Sequence, residues 1–228
     1  MSSVRVAVIG ARGRMGRFAC ELLDGSTEFE LVAQLGREHD LRSVLPECGA
    51  ALALDLTVAG QGAAHARLAL SSGLRIVVGT SGVSRAEADE LDTLARSHGL
   101  GGIVVPNFSL GMVWLNRAAE ALAHAFPSVV LIERHHERKR DAPSASARDT
   151  AERLGQRRGG MPVPIQSVRS PGLYAHQEVL FGAPGETLTL SHDMLGPEAF
   201  GPGLLAALRF AARADGVPFG LEAALPPT

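Results

Sequence analysis

The stretch VRVAVIGARGRMG, residues 4–16, joins a short β-branched run to a glycine-rich turn. The apolar run predicts a buried strand, and the apolar spacing that follows Met15 predicts a helix. Glycines at positions 10, 13 and 16 match G-x-x-G-x-x-G, a close variant of the dinucleotide fingerprint. Such glycines allow a tight turn and let the backbone approach a pyrophosphate at a helix N-terminus. A strand–helix turn without a ligand would use the same glycines, so this pattern needs support from other segments.

Strand and helix patterns alternate through the first half of the chain. Ser84 and Glu87 have the spacing of a capping box, which marks the start of one helix. The alternation predicts an α/β fold with a Rossmann-type, doubly wound parallel sheet and right-handed crossovers. The predicted strands are 4–9, 30–35, 51–56, 75–78 and 102–105, and the helices after the first turn are 62–72 and 84–98.

The pattern changes after Pro106. A helix at 111–125, a strand at 129–134 and a helix at 144–153 precede strand-like runs at 165–169, 176–181 and 186–192. Strands in series predict a second, α+β domain with an open mixed sheet, mostly antiparallel. We predict a dinucleotide-binding domain over 1–106, with a C-terminal helix over about 202–228 packing back on it, and a substrate-binding domain over 107–201.

The end of the second predicted strand reads QLGRE, residues 34–38. NAD-binding sheets usually carry an acidic residue there for the ribose 2′-hydroxyl, but this chain has Gly36 followed by Arg37. A guanidinium in place of a carboxylate suits a 2′-phosphate, and Arg12 or Arg14 could close on the same phosphate. The sequence therefore predicts that NADPH is preferred, with NADH possible. In the alternative reading Arg37 is a solvated surface charge and Glu38 serves as the acid.

Two further segments follow strands at the edge where ligands bind in open α/β sheets. One begins at Gly79 and the other at Val105; ordinary turn chemistry would account for either alone. The predicted cofactor-binding residues are Gly10, Ala11, Arg12, Gly13, Arg14, Met15, Arg37, Gly79, Thr80, Ser81, Val105, Pro106, Asn107 and Phe108.

The segment ERHHERKRDAPSAS, residues 133–146, gathers an acid, a cation and a helix start. Histidine can give up a proton near neutral pH, and the surrounding positive charges favour an anionic substrate. Asp141 or Ser144 can serve as the N-cap of the helix that follows. The first N–H groups of a helix have no partner within it, so those of Ala145 and Ser146 could bind a carboxylate beside Lys139.

Two plainer explanations of the same segment stay open at this point. A histidine pair is often a surface or satisfied core site, and a charge run is often a solvated face. A metal site that includes Glu133 is a third possibility, but the histidines lack the usual helical two-His spacing. We therefore expect no metal.

Composition narrows the class of protein. The chain has 228 residues, a formal net charge of −2 and 46% hydrophobic residues, typical of a globular protein with no charge-based reason to bind nucleic acid or an anionic membrane. No apolar run approaches the roughly 20 residues needed to span a bilayer. Two cysteines and no separate signal-peptide core favour a reduced, cytoplasmic setting.

The segment HHxxKxDAPS, residues 135–144, resembles the signature of the 4-hydroxy-tetrahydrodipicolinate reductase family, also called dihydrodipicolinate reductases, of lysine and diaminopimelate biosynthesis. The resemblance extends in order over nearly the whole chain. It includes the glycine-rich turn, DLT at 55–57, GTSG at 79–82, PNFSLG at 106–111, and the runs 172–182 and 185–193.

The resemblance implies hydride transfer from NADPH or NADH to a cyclic, unsaturated dicarboxylate. It implies that His135 is the proton donor and Lys139 its partner in catalysis. It also implies a homotetramer assembled through the sheet of the second domain. Substrate-binding positions implied by the resemblance, together with the helix start, are His136, Ser144, Ala145 and Ser146.

One departure from the family pattern lies in the substrate segment. The family continues with Gly-Thr after the serine, whereas this chain has Ala145-Ser146. Ser146 keeps a hydroxyl, and Ala145 keeps its N–H but adds a methyl group near the substrate. Two other functions therefore stay open: a paralogous reductase of another cyclic imine or enamine dicarboxylate, and a nucleotide-binding regulator without turnover.

Overall fold

The computed structural model describes residues 3–226, which divide into two compact units. Unit 1 runs up to Phe108 and resumes at Phe200, and unit 2 is Ser109–Ala199. Unit 2 is thus inserted into the chain of unit 1. The predicted boundaries at 106/107 and 201/202 lie two residues from these.

Unit 1 is built on a parallel sheet with the strand order β2-β1-β3-β4-β5. All five strands point the same way, so their carboxyl ends share one edge. The strand order reverses between β1 and β3, which is where open α/β sheets bind ligands. The doubly wound prediction is confirmed. The strands are β1 Val4–Ile9, β2 Phe29–Leu35, β3 Leu52–Asp55, β4 Arg75–Val78 and β5 Gly102–Val104.

Helices cover both faces of this sheet. The helices α1 (Arg14–Asp24) and α7 (Gly201–Ala211) contact each other and the sheet on one face. On the opposite face α3 (Gly62–Ser71) packs with α4 (Arg85–Ser97) over a core of buried aliphatic side chains. The short helix α2 (Leu41–Val44), which the sequence did not indicate, follows β2. The capping box at the start of α4 is present as predicted.

Glycine is required at two positions of the turn between β1 and α1. Gly10 has φ +85°, in the left-handed region that side chains rarely adopt. A Cβ on Gly16 would overlap the carbonyl oxygen of Gly10, so the first turn of α1 packs directly on the end of β1. This contact keeps the helix N-terminus at the carboxyl edge of the sheet.

The C-terminal part of unit 1 differs from the predicted single helix over 202–228. Helix α7 ends at Ala211, and an extended segment then forms parallel bridges from Gly216 and Phe219 to β5. Leu221–Ala224 is a short 3-10 helix. Residues 216–219, which follow the helix, run parallel to β5 and cover its edge. Backbone groups at an open sheet edge need such partners. Helix α7 contacts α1, β4 and β5.

Unit 2 is an α+β unit with the strand order β7-β6-β8-β9. The β6–β8 and β8–β9 ladders are antiparallel, whereas β6 and β7 pair in parallel, so the sheet is mixed and mostly antiparallel as predicted. Its core lies between the sheet and two helices, with Leu131, Leu154 and Phe181 fully buried. The elements are α5 Leu110–Leu122, β6 Ser128–His135, α6 Ala145–Arg157, β7 Ile165–Arg169, β8 Ala175–Ala183 and β9 Glu186–Met194.

Over residues 3–226, no helix has the combination of length and apolar character that crossing a membrane requires.

We predict that Gly16→Ala destabilises the protein by about 1–3 kcal/mol or more, because the new methyl group overlaps backbone at Gly10. Thermal unfolding followed by circular dichroism measures the change. Gly25→Ala, at the other end of the same helix, is the matched control, since the carbonyl oxygens nearest to the new Cβ would be 3.9 Å away. Equal melting temperatures for Gly16→Ala and Gly25→Ala would contradict the packing argument.

Candidate active site

An open cavity of about 1030 Å³ lies in unit 1 at the reversal between β1 and β3. It extends from the glycine-rich turn past the end of β2 to the start of α3. Glycines 10 and 13 form one wall, which lets a ligand approach the N-terminus of α1. The other lining residues include Arg12, Arg14, Met15, Gly36, Arg37, Glu38, His39, Arg42, Leu56, Thr57, Gln61 and His65.

Basic side chains are concentrated at the end of this cavity beyond β2. Arg12 forms an ion pair of 2.7 Å with Glu38, and both side chains are exposed. Arg37 is exposed and lines the cavity, as does Arg42, which the sequence reading missed. Glu38 therefore places a carboxylate at the end of β2, as required if it binds the ribose hydroxyl in place of an NAD-type acid. The guanidinium of Arg12 lies beside this carboxylate.

A buried carboxylate organises the ends of β3 and β4. Asp55 is fully buried; its oxygens accept from the Thr80 hydroxyl at 3.0 Å and from the Thr57 N–H at 3.1 Å. His65 of α3 lies 3.4 Å from the same carboxylate. The sequence reading treated 55–57 only as part of a resemblance. In the structure Asp55 connects the segments that follow β3 and β4 by accepting hydrogen bonds from both.

The predicted cofactor residues divide into three sets. Six of them line the cavity: Gly10, Arg12, Gly13, Arg14, Met15 and Arg37. Ala11 is buried behind the turn and donates its N–H to the carbonyl of Leu35. The rest lie outside the lining at the carboxyl ends of β4 and β5, where Gly79 faces the ring of Phe108; they are Gly79, Thr80, Ser81, Val105, Pro106, Asn107 and Phe108.

In unit 2, strand β6 ends at His135, and its side chain is held by a residue of the same strand. His135 and Glu133 lie two positions apart, so both side chains point to the same face. Nδ1 of His135 is 2.5 Å from Oε2 of Glu133, which is fully buried. His136 lies beyond the strand, and its Nδ1 accepts the Arg138 N–H at 3.2 Å. The two histidines therefore have different surroundings, as expected if the strand ends between them.

Arg169 of β7 binds the same carboxylate with both ends of its guanidinium. Its two terminal nitrogens lie 2.8 Å from the two oxygens of Glu133. Nη2 also donates to the carbonyl of Asp141 at 2.7 Å, and Nε donates to that of Lys139 at 3.3 Å. The Ser144 N–H donates to Oε1 of Glu133 at 3.2 Å. One carboxylate thus connects a strand, a neighbouring strand and the start of α6.

The pKa values in this cluster follow from burial and charge. Burial raises the pKa of Glu133, but hydrogen bonds from Arg169, Ser167 and His135 outweigh it and lower the pKa to about 2. Burial lowers the pKa of His135 below its usual value, and the positive charges of Lys139 and Arg169 act in the same direction, while Glu133 opposes them. His135 therefore releases a proton more readily than a solvated histidine does.

The remaining predicted substrate residues surround the start of α6. Ser144 is the N-cap and its hydroxyl accepts the Ala147 N–H at 3.1 Å, which decides between the two predicted caps. Ala145 is exposed in the first turn. Lys139 forms a 2.9 Å ion pair with Asp141, in the loop leading to this turn. The carbonyl of Ser146 accepts from Thr150 at 3.0 Å.

Sequence reasoning missed Arg169 and considered Glu133 only as a metal ligand. Glu133 is occupied by Arg169, Ser144 and His135. No group of three or more metal-ligating side chains converges within residues 3–226. A signal for Arg169 exists only in the strand register, because His135 pairs with Arg169 across the parallel β6–β7 ladder.

A Rossmann-type unit with a glycine-lined cavity, followed by a unit that presents a histidine, a lysine and a helix N-terminus, defines a class of two-domain oxidoreductases. Comparison with known proteins identifies the family within this class. The family description "Dihydrodipicolinate reductase, N-terminus" matches residues 4–108, and "Dihydrodipicolinate reductase, C-terminus" matches residues 109–225. The chain belongs to the dihydrodipicolinate reductase family, and it is an oxidoreductase.

Individual relatives agree with this assignment over almost the full chain. A 4-hydroxy-tetrahydrodipicolinate reductase of Streptomyces coelicolor is 40% identical over 245 residues, 97% of this chain and 98% of its own. One from Coxiella burnetii strain RSA 493 is 36% identical over 235 residues, with 96% and 98% covered. A solved structure of dipicolinate-bound dihydrodipicolinate reductase from Paenisporosarcina sp. TG-14 has a TM-score of 0.86 and 31% identity, covering 98% of this chain and all of that one.

Proposed function

We propose that this protein reduces 4-hydroxy-tetrahydrodipicolinate to tetrahydrodipicolinate in the diaminopimelate and lysine pathway, with NADPH as the preferred hydride donor and NADH as a possible one. The observation that carries the proposal is the assembly in unit 2: His135, held through Nδ1, with Lys139 and the N-terminus of α6 beside it. The names of the full-length relatives support the choice of substrate.

The substrate carboxylate binds, in this proposal, at the start of α6. Backbone N–H groups and the positive end of the helix dipole favour an anion there. The hydroxyl of Ser146 and the ammonium of Lys139 add a donor and a charge, and Lys139 would exchange its Asp141 partner for the substrate. His136 binds the substrate beside them. The methyl group of Ala145 lies at the same turn and narrows the space in which the carboxylate sits.

His135 supplies the proton. Because the ionised Glu133 can only accept at Nδ1, the proton available for transfer is on Nε2 of the imidazolium. The lowered pKa of His135 makes that imidazolium a stronger acid. Lys139 stabilises negative charge that develops on the substrate as the hydride arrives.

The dinucleotide, when bound, supplies the hydride. Residues of unit 1 fit such a ligand: the glycine turn leaves room for a pyrophosphate against the N-terminus of α1, and Arg37 lines the same cavity for a 2′-phosphate. Arg12 would turn from Glu38 to that phosphate, and Arg14 lies beside it. The segments at 79–81 and 105–108 lie at the sheet edge where the nicotinamide would bind.

Of the two other functions, one has a supporting observation and the other has an observation against it. Ala145 in place of the family glycine favours a paralogue that reduces another cyclic imine or enamine dicarboxylate. A nucleotide-binding regulator without turnover would need neither His135 nor Lys139.

We also propose a cytoplasmic homotetramer, assembled through the unit 2 sheet, whose β9 side chains are largely exposed. Light scattering in solution measures the mass.

The decisive experiment supplies enzymatically generated 4-hydroxy-tetrahydrodipicolinate and follows the absorbance of NADPH. Steady oxidation is expected. No oxidation at high protein concentration would overturn the proposal, and NADPH binding without any turnover would favour the regulator. Oxidation with another cyclic imine dicarboxylate alone would favour the paralogue.

We predict that Lys139→Ala lowers kcat/KM by about 100-fold or more, because it removes the cation that meets the substrate's developing charge. The Kd of NADPH should stay unchanged, since Lys139 belongs to unit 2. Arg138→Ala is the matched control, because this exposed neighbour uses only its backbone N–H at the site. A comparable loss in Arg138→Ala would mean that general positive charge, rather than Lys139, is responsible.

We predict that kcat/KM falls as pH rises through a pKa below 6.5, the usual value for histidine, because the acid form of His135 is present below its pKa and lost above it. The midpoint for kcat should lie higher, since a bound dicarboxylate favours the imidazolium. Initial rates from pH 5 to 9, roughly the span of histidine titration, measure both midpoints. Persistence of the same descending limb in His135→Asn would assign it to another group.

We predict that Arg37→Ala raises the KM for NADPH by about tenfold or more while changing that for NADH little, because a charged hydrogen bond to the 2′-phosphate contributes about 1.5–3 kcal/mol. Arg42→Ala, measured in parallel, tests a further arginine of the cavity, the one that the sequence reading missed. Arg213→Ala, exposed and outside the cavity lining, is the control. Equal effects of Arg37→Ala on both cofactors would contradict the phosphate role.

A further inference from the structure

We propose that Glu133 and Arg169 are positioning residues of the reaction: Glu133 fixes the tautomer and ring orientation of His135, and Arg169 fixes the loop that carries Lys139 to the start of α6. The inference rests on the proposed function for its kinetic consequence. Its structural part, the state of His135, can be tested without any substrate.

Glu133 determines which nitrogen of His135 carries the permanent proton. The carboxylate is ionised over the whole physiological range, because its pKa is about 2. An ionised carboxylate only accepts hydrogen bonds, so the 2.5 Å contact at Nδ1 requires a proton on Nδ1. Neutral His135 must then have its lone pair on Nε2. That nitrogen takes up the transferable proton.

Arg169 prevents Glu133 from moving and holds the loop at the same time. Its two terminal nitrogens bind both carboxylate oxygens at 2.8 Å, a bidentate geometry that fixes the carboxylate plane. The same guanidinium reaches the carbonyls of Lys139 and Asp141. The backbone on either side of Arg140 is therefore fastened to β7. Lys139 then extends from an anchored point rather than from a free loop.

The start of α6 is fastened to the same carboxylate. The Ser144 N–H donates to Oε1 of Glu133, on the oxygen that also accepts from Arg169. Ser144 caps the helix through its hydroxyl. A displacement of Glu133 would therefore change the position of the N-cap, and with it the N–H groups that meet the substrate carboxylate.

The charges around His135 decide the sign of the expected change. Glu133 on the same strand favours the imidazolium, whereas Arg169 from β7 and Lys139 from the loop disfavour it. Asp141 neutralises part of the Lys139 charge at 2.9 Å. Removing the charge of Glu133 leaves Arg169 without its counter-ion, and Lys139 keeps only Asp141. The pKa of His135 must then fall further.

The test is nitrogen-15 NMR of histidine-labelled full-length protein, wild type and Glu133→Gln. In wild type, neutral His135 should show the Nδ1–H form. In Glu133→Gln, we expect the amide oxygen to take the place of Oε1, where it accepts from the Ser144 N–H and from Arg169. The amide NH2 group then takes the place of Oε2 and donates to Nδ1 of His135, so the Nε2–H form should dominate. The pKa of His135 should fall by about one unit or more. The same tautomer and the same pKa in both proteins would overturn the role of Glu133.

Kinetics provide a second readout of this variant. If His135 is the acid, the descending limb of the pH profile moves to lower pH in Glu133→Gln, and turnover near neutral pH falls about tenfold per unit of displacement. Glu120→Gln is the matched control, because Glu120 is also an ion-paired glutamate of unit 2 but binds Arg153 and Arg157 instead. It should leave the tautomer, the pKa of His135 and the pH profile unchanged.

Arg169→Lys distinguishes the hydrogen bonds that hold the loop from the positive charge at this position. It is also the test to use if Glu133→Gln does not fold. Lysine keeps the charge but cannot bind both carboxylate oxygens and two carbonyls together. We expect the KM for substrate to rise about tenfold or more, with the Nδ1–H tautomer retained and the Kd of NADPH unchanged. A wild-type KM would overturn the loop role. If wild type does not reduce the substrate, the proposed function fails, while the NMR comparison still decides the role of Glu133.

Discussion

The buried carboxylate of Glu133 is the constraint on which the candidate site in unit 2 depends. Moving an ionised group out of water costs several kcal/mol, and the cost is met only if every oxygen is well bonded. Here the partners come from four places in the chain: His135, Ser144, Ser167 and Arg169. Those four must take their positions together, because losing any one leaves a charge without full compensation. The geometry around His135 is thus tied to the energetics of folding.

The two units use charge in opposite ways. In unit 1 the cations around the cavity are exposed, and Arg12 has only a solvated partner, so these side chains can reorganise around a ligand at little cost. In unit 2 the carboxylate of Glu133 is fully buried and paired with the mostly buried side chains of His135 and Arg169, which suits groups that must not move during a reaction. The proposed cofactor site can thus adapt to a ligand, whereas the proposed proton donor is held in place before any substrate arrives.

The sequence predicted the parts of the fold that depend on local pattern. The alternation of the first half, the glycine turn and the capping box at Ser84 are local features, and all are present. The covering of β5 by residues 216–219 was missed, because nothing in that short segment has strand periodicity. Its conformation is set by the open edge of β5, a partner more than a hundred positions earlier in the chain.

The candidate site shows the same division. His135, Lys139 and Ser144 could be predicted because they lie within one short segment whose chemistry is legible from residue type. Arg169 could not, since its position depends on the register of a parallel ladder between strands separated by a helix. Pairing of Arg12 with Glu38 likewise depends on how two loops meet at the sheet edge.

The insertion of unit 2 into unit 1 has a consequence for synthesis on the ribosome. Strand β5 ends at Val104, but the segment that covers its edge begins at Gly216. At about 5–20 residues per second, the nascent sheet waits several seconds with that edge open. Gly203 lies against the carbonyl of Phe108, so both ends of the insertion are close together once α7 arrives. Unit 2 can therefore fold as an inserted segment while the sheet of unit 1 is still incomplete. A chaperone that shields strand edges would act in that interval.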